Sequence, residues 1–474
     1  MQRTLQKVFS MPEGMVFNFT NMFGEGRLFE QDVERFITDR GYCADAAVTK
    51  IREEGFASGH FSKDGIEEPV FFAKMPFVKD GNPNDKHSIR RLIEYGRRLK
   101  DYDAVIFFGV GGSYLGNKVL RNALGGNSWN RNQNIRQGYP RIYFCGNNLD
   151  AADCRDLAEE LEYLSLEKSL KIMLIVISKS GTTVEPITGF LYFCDVLGAA
   201  TEIELACTVV TDKGRPDLPL YALAVEKGWD IFDIKNGIGG RFSVMTDPGL
   251  LTLAALGGDI EEFLRGARDM DEYCREAVPH DNPALVNAAL KFLAYGKGRD
   301  IEIFMPYSMD LKALSEWYVQ LLAESLGKRR NRKGAVVNYG RTPVVAVGTT
   351  DMHAQTQQHQ DGRLNKVIQF LSVRETNKNI KLVNPFKGNE FFDQYDGFDM
   401  HAALNIALES NEKALAGDER YSAKFIMPRI NEYYLGQMMY FLMLSVAYEG
   451  EFADVDAYDQ PGVEAYKKIM KQML

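Results

Sequence analysis

The sequence predicts an α/β protein made of two doubly wound parallel-sheet domains of related architecture, with helical N- and C-terminal extensions. Three observations predict it. From about residue 101, short apolar runs alternate with amphipathic stretches, the pattern of parallel strands buried on both faces and joined by helices. The same rhythm returns in the second half. Two loops rich in glycine or hydroxyl residues follow directly after strand candidates, where open α/β sheets carry their ligands. A length of 474 residues suits two or three domains, at the usual ~100–200 residues each.

In chain order, residues 1–50 read as an N-terminal extension that packs onto the two domains. The first domain is expected over 51–250, with strands at 103–108, 141–145, 171–178 and 204–211 and helices at 151–164 and 186–199. A helical connection spans 251–284. The second domain covers 285–450, with strands at 301–305, 342–347 and 366–373. A helix is expected at 310–326, because Leu311, Leu314, Trp317, Tyr318, Leu321 and Leu322 recur at three- and four-residue spacing. The most apolar helix candidate, 433–448, is shorter than the ~20 residues of a membrane span. It also carries Gln437, so it reads as a buried core helix. Residues 451–474 form a C-terminal helical segment. The two halves are related by rhythm only, with no internal sequence repeat.

Bulk properties exclude some classes. A formal net charge of -9 argues against a nucleic-acid partner, which calls for a basic face. It leaves room for a small phosphorylated substrate, which needs only local cations and amides. Hydrophobic content of 45% and charged content of 26% are ordinary for a soluble globular chain. None of the six cysteines is spaced C-x-x-C, which reads as reduced thiols in a reducing cytosol. The N-terminus lacks the apolar stretch of a signal peptide. A cytoplasmic protein with no membrane partner, no cofactor and no metal is expected.

Two motifs carry chemistry. The first is Gly109-Val110-Gly111-Gly112-Ser113-Tyr114-Leu115-Gly116, directly after a strand candidate. Its glycines let backbone N–H groups approach a ligand at a helix start, although a tight strand-to-helix turn explains it equally well in isolation. Tyr114 replaces the third glycine of a dinucleotide fingerprint, and Asn117 the lysine of a nucleotide P-loop. A nucleotide-dependent kinase or dehydrogenase is therefore disfavoured. The second motif is Ser178-Lys179-Ser180-Gly181-Thr182-Thr183, which offers hydroxyls, amides and one ammonium ahead of a helix dipole. Phosphate binding explains four hydroxyl residues better than an over-decorated helix N-cap does. Both loops leave the same side of one parallel sheet, so a shared site is expected.

The segments 109–116 and 178–185 resemble the phosphosugar-binding loops of sugar-isomerase domains. Three further segments occur in the same order and at similar spacing in the glucose-6-phosphate isomerase family. They are Gly239-Gly240-Arg241-Phe242-Ser243, 320–328 and 459–467. The resemblance runs from about residue 103 to the C-terminus, and the first ~50 residues add little to it.

The resemblance implies a role for each matching residue. Ser178, Lys179, Ser180 and Thr183 cradle the phosphate, with Ser113 reaching the sugar or its phosphate. Gly112 and Gly240 allow close backbone approach. Glu324, with Gln320 four residues earlier on the same helical face, matches the catalytic base. In isolation Glu324 would read as a solvated helix carboxylate, and Arg241 as half of a surface ion pair. Arg241 instead matches the arginine that stabilises an enediolate. His353 matches the ring-opening histidine, although the residues before it differ from those usual in the family. His359 is six residues on, not the i,i+4 spacing of helix-borne zinc ligands. Gln460 and Lys467 are two turns apart on a helix starting near Pro461, and Lys467 is given a ring-opening role. Glu185 orients His353. The implied reaction interconverts glucose 6-phosphate and fructose 6-phosphate in glycolysis and gluconeogenesis, and a homodimer is implied. The alternatives are another phosphosugar isomerase, including one with mannose 6-phosphate activity, or a non-catalytic phosphosugar-binding regulator. No helix-turn-helix candidate supports the regulator.

Overall fold

The structure, a computed structural model, describes residues 5–473. The chain divides into two compact units, Lys50–Arg268 and Met1–Thr49 with Asp269–Leu474.

The Lys50–Arg268 unit is built on a five-stranded sheet. Its spatial order is Arg141–Cys145, Ala104–Phe108, Leu170–Ile177, Ile203–Thr211 and Asp230–Asp233, and every pairing is parallel. In chain order this is 2-1-3-4-5, the flavodoxin-like winding. Ala104–Phe108 is buried at every position, as both covered faces require. Helices Ala151–Ser165 and Val184–Val196 lie on one face, where Phe190 and Phe193 join Ile106, Phe108, Leu174 and Val176 in one core. The sequence places four of these strands to within a residue or so. It misses Asp230–Asp233, a four-residue edge strand with a carboxylate at either end and no apolar run to mark it.

The second unit contains a six-stranded sheet. Its four parallel strands lie in the order Thr342–Val345, Ile301–Pro306, Lys366–Val373 and Tyr421–Met427, again 2-1-3-4 in chain order. The related rhythm of the two halves thus has a topological counterpart. The N-terminal extension does more than add helices. Val16–Asn18 pairs antiparallel with Tyr421–Met427, and Val8–Ser10 pairs with Val16–Asn18. This covers backbone groups that an edge strand would leave unpaired. Phe17 holds the addition in place by stacking on Phe425, with ring centroids 4.6 Å apart.

Pro283–Gly296, Lys312–Leu326 and Glu432–Ala453 pack together on one side of this sheet. Glu432–Ala453 is buried continuously from Tyr433 to Gly450, as expected of a core helix. Among the described residues no helix is long and apolar enough to cross a membrane.

Behind the Lys312–Leu326 helix lies a buried, charge-balanced network. Lys291 Nζ is 3.1 Å from Glu302 Oε1, which also accepts from the Tyr318 hydroxyl at 2.6 Å. Arg341 donates through Nε to Glu302 at 2.7 Å and through Nη2 to Glu449 at 2.7 Å. The Tyr339 hydroxyl donates to Glu449 at 2.5 Å. Burial alone would raise the Glu302 carboxyl, but Lys291 and Arg341 outweigh it and hold it at about 2. Removing one member strands its partners without water. We expect Arg341→Met to cost roughly 3–5 kcal/mol, read as a lower chemical-denaturation midpoint.

Candidate active site

In the Lys50–Arg268 unit the winding reverses between Ala104–Phe108 and Leu170–Ile177. Chains leave these adjacent strands in opposite directions, which opens a crevice at their carboxyl ends. Both motif loops leave from this point.

After Ala104–Phe108, Gly111 takes φ +57, a conformation that favours glycine. A Cβ on Gly112 would fall 2.0 Å from the Gly240 carbonyl carbon and 2.6 Å from the Arg241 nitrogen. This loop therefore lies directly on the Gly240–Met245 turn, and only glycine fits there. Asn117, which stands in the P-loop lysine position, donates to the Ser113 carbonyl at 3.0 Å and so holds the loop rather than a ligand.

After Leu170–Ile177, Ser178 is buried and its Oγ lies 3.1 Å from Thr183 Oγ1. Gly181 at φ +64 turns the chain, and Lys179, Ser180 and Thr182 are exposed. Thr182 donates from its backbone N–H and its hydroxyl to Ser180 Oγ, at 3.3 and 3.0 Å. Lys179 Nζ reaches Asn236 Oδ1 at 3.4 Å. The N-cap residue Thr183 makes no side-chain capping bond to the helix Val184–Val196 that comes next. The hydroxyls bond one another instead, so helix capping does not account for them, and the positive helix end stays open to an anion. Glu185 sits in the first turn of that helix.

Arg241 is fully buried, which removes the surface ion-pair reading. Its guanidinium lies 5.3 Å from the centre of the Phe242 ring. The turn that carries it is fastened at its far end. Buried Asn84 donates to the Met245 carbonyl at 2.7 Å and to the Met75 carbonyl at 2.6 Å. Asp247 accepts the Asp233 N–H at 2.9 Å, and burial pushes its carboxyl up to about 6.

The other unit carries the remaining candidates. Gln320 and Glu324 share a helical face as expected, and Gln320 Nε2 donates to Glu324 Oε1 at 3.1 Å. Just beyond the helix, Lys328 Nζ holds Asp459 at 2.6 Å through both its carbonyl and its carboxylate. That contact ties the start of the helix Pro461–Met473 to the Glu324 end of Lys312–Leu326. Gln460 immediately precedes this helix and is exposed, and Lys467 is an exposed residue within it, 3.8 Å from Glu464.

His353 is not brought to Glu324. Ser315 bonds the Phe304 carbonyl and Tyr318 bonds Glu302, so the helix descends as the strand rises. Glu324 therefore lies past the amino ends of the strands. His353 comes after Thr342–Val345, past the carboxyl ends, where the Gly348 N–H donates to the Pro306 carbonyl at 3.0 Å. Helix and strand rises put the two side chains about 20 Å apart along the sheet. His353 is exposed.

Comparison with known proteins gives this arrangement its family. Residues 86–474 match the phosphoglucose isomerase family. The chain belongs to the phosphoglucose isomerase family. It is 35% identical over 408 residues to a glucose-6-phosphate isomerase of Carboxydothermus hydrogenoformans, covering 85% of this chain and 84% of that protein. A glucose-6-phosphate isomerase of Shouchella clausii is 32% identical over 394 residues, covering 82% and 84%. Among solved structures, a hypothetical protein of Thermus thermophilus superposes with a TM-score of 0.79 at 26% identity, over 96% of this chain and 99% of that one. A glucose-6-phosphate isomerase of Chlamydia trachomatis gives the same TM-score at 21% identity and shares the fold, over 98% and 89%.

In this phosphoglucose isomerase family member the sequence reading omits Asn84, Asp247, Lys328 and Asp459. Lys328 and Asp459 lie at the ends of segments already singled out, so their place in the motifs was a usable signal. Asn84 and Asp247 gave none, because each acts by hydrogen bonds to remote backbone. The glycine contact generates a paired test. Gly112→Ala must push two backbones apart and should abolish turnover and lower the melting temperature. Gly240→Ala, whose Cβ would meet nothing closer than 3.6 Å, should be far milder in both measurements.

Proposed function

We infer that this protein interconverts glucose 6-phosphate and fructose 6-phosphate, and we propose roles for its residues in that reaction. The observation that carries the reading is family membership over residues 86–474, a span that contains every residue given a role in it. Ser178, Lys179, Ser180 and Thr183 take the phosphate, supported by the uncapped helix end behind them. Backbone at Gly112 and Gly240, with Ser113, lines the same loops. His353 and Lys467 transfer the protons that open the ring, with Glu185 orienting His353 and Gln460 contacting the sugar.

Glu324 takes the proton from carbon 2 and returns it to carbon 1, held by Gln320 at 3.1 Å. Arg241 stabilises the enediolate while charge rests on its oxygens. Its complete burial supports this, because a guanidinium away from water acts on developing charge with little screening. The protein works in the cytoplasm, in glycolysis and gluconeogenesis. It is a homodimer in which His353 serves the site of the other copy. The opposite placement of Glu324 and His353 on one sheet supports that sharing.

Two experiments test the reading. Purified protein should convert fructose 6-phosphate to glucose 6-phosphate, followed with a coupled dehydrogenase in the presence of excess chelator. Glu324→Gln should lose at least ~10²–10⁴-fold in kcat with its melting temperature unchanged. Near-normal turnover would remove Glu324 from the role. For the shared site, Glu324→Gln and His353→Ala should each be inactive alone. Co-expressed at equal levels they should regain about a quarter of wild-type activity, since half of the dimers then hold one intact site of two. No recovery in purified mixed dimers would place His353 in its own chain's site.

A further inference from the structure

A second cluster of cations includes none of the residues given a role in that reaction. At the amino ends of Lys366–Val373 and Tyr421–Met427, a small cavity is lined by Arg299, His359, Arg363, Lys366 and Arg420, with Tyr421 beside them. It leaves about 10 Å3 for the centre of a water-sized atom, close to what one oxygen needs. The hollow widens to about 230 Å3 with its open mouth. Among the described residues no carboxylate lines it.

The side chains around it hold unused hydrogen-bonding capacity. His359 is 4% exposed, and its Nδ1 has no partner among the described residues. The Nε atoms of Arg299 and Arg420 are likewise buried without a partner. The hydrogen bonds that these cations make are to neutral oxygens, and the Arg299 guanidinium also lies 4.8 Å from the centre of the Tyr421 ring. Arg299 donates to the Lys297 carbonyl at 3.0 Å and Arg420 to the Gly362 carbonyl at 2.6 Å. Lys366 donates to the Arg363 carbonyl at 2.9 Å and to Asn365 Oδ1 at 3.0 Å, which leaves its third proton over. The nearby Asp300 is bonded by Asn365 at 3.1 Å rather than by a cation. Burial and the charge of Arg420, with a smaller push from Arg363, move the Lys366 ammonium down against the pull of Asp300, and burial with Lys366 pushes His359 down to about 4 against the pull of Asp351. Four positive groups are thus held together against their mutual repulsion.

We propose that this cavity is a second anion site that takes one phosphate group, either inorganic phosphate or the phosphate of a monoester. One oxygen enters the cavity and accepts from His359 and Lys366. The arginines supply the paired N–H groups that match phosphate geometry. Arg363, exposed at the mouth, closes over the remaining oxygens. The site neutralises the cluster and so stabilises its unit by mass action.

The test uses full-length protein carrying Lys179→Ala and Ser180→Ala, so that the other phosphate loop does not respond. Its melting temperature is followed against inorganic phosphate, and separately against glycerol 3-phosphate, with sodium chloride matched for ionic strength. The melting temperature should rise with phosphate and not with chloride. Adding Arg363→Ala, a surface change that spares the fold, should demand about tenfold more phosphate for the same rise. Adding Arg420→Met as well should remove the response. A rise from both ligands assigns the site to the phosphate group of esters, and a rise from inorganic phosphate alone assigns it to the free ion. No rise from either, or a response unchanged by Arg363→Ala, overturns the proposal.

Discussion

A parallel strand cannot return to its neighbour through a hairpin, because it must first travel back to its own starting edge. Each connection between the parallel strands of the two sheets therefore runs through a helix or a long excursion, and every loop that leaves the carboxyl end of a parallel strand lies on one side of its sheet. When the order is 2-1-3-4, two such loops diverge from adjacent strands and leave a crevice between them. The 109–116 and 178–183 loops stand at that point, and the close approach of Gly112 to Gly240 brings the Arg241 turn to it. Backbone amides and a helix end can be held there only because the sheet behind them is rigid and buried on both faces.

The same winding in the second unit has a different consequence. Its helix Lys312–Leu326 descends from the carboxyl ends and delivers Gln320 and Glu324 to the opposite edge, while His353 remains at the top. The buried network of Lys291, Glu302, Arg341 and Glu449 fixes that helix through Tyr318. A greasy core would hold the helix against sliding less specifically than charges that must each find one partner. Lys328 then extends the positioning to the C-terminal segment by gripping Asp459.

Charge in this protein is a local matter. The chain carries a net -9, yet cations occur at particular places within it: a buried Arg241, Lys179 on the 178–183 loop, Lys467 near the end, and the cluster around His359. Screening erases the distant acidic surface within a Debye length of about 8–10 Å. A phosphorylated ligand therefore responds to the few groups it touches, and net charge bears on encounter and solubility instead.

By itself the sequence determined what short-range chemistry determines. Unbroken apolar runs marked the central strands because both their faces are covered, and the three–four spacing of Leu311 to Leu322 marked the helix beneath Gln320 and Glu324. Hydroxyl and glycine density marked the 178–183 loop, and five ordered segments marked the family. Only the tertiary structure decided what depends on contacts between remote residues. It recruited Val16–Asn18 to a sheet edge some four hundred residues away in sequence, and it buried Arg241, whose flanking glycines signalled only close approach. It set Glu324 and His353 at opposite edges of one sheet and gathered Arg299, His359, Lys366 and Arg420 around a single cavity. The physical reason is common to all four. Local pattern records which face of an element is buried, whereas the partner that buries it is fixed by strand order and crossover, and no single segment encodes those.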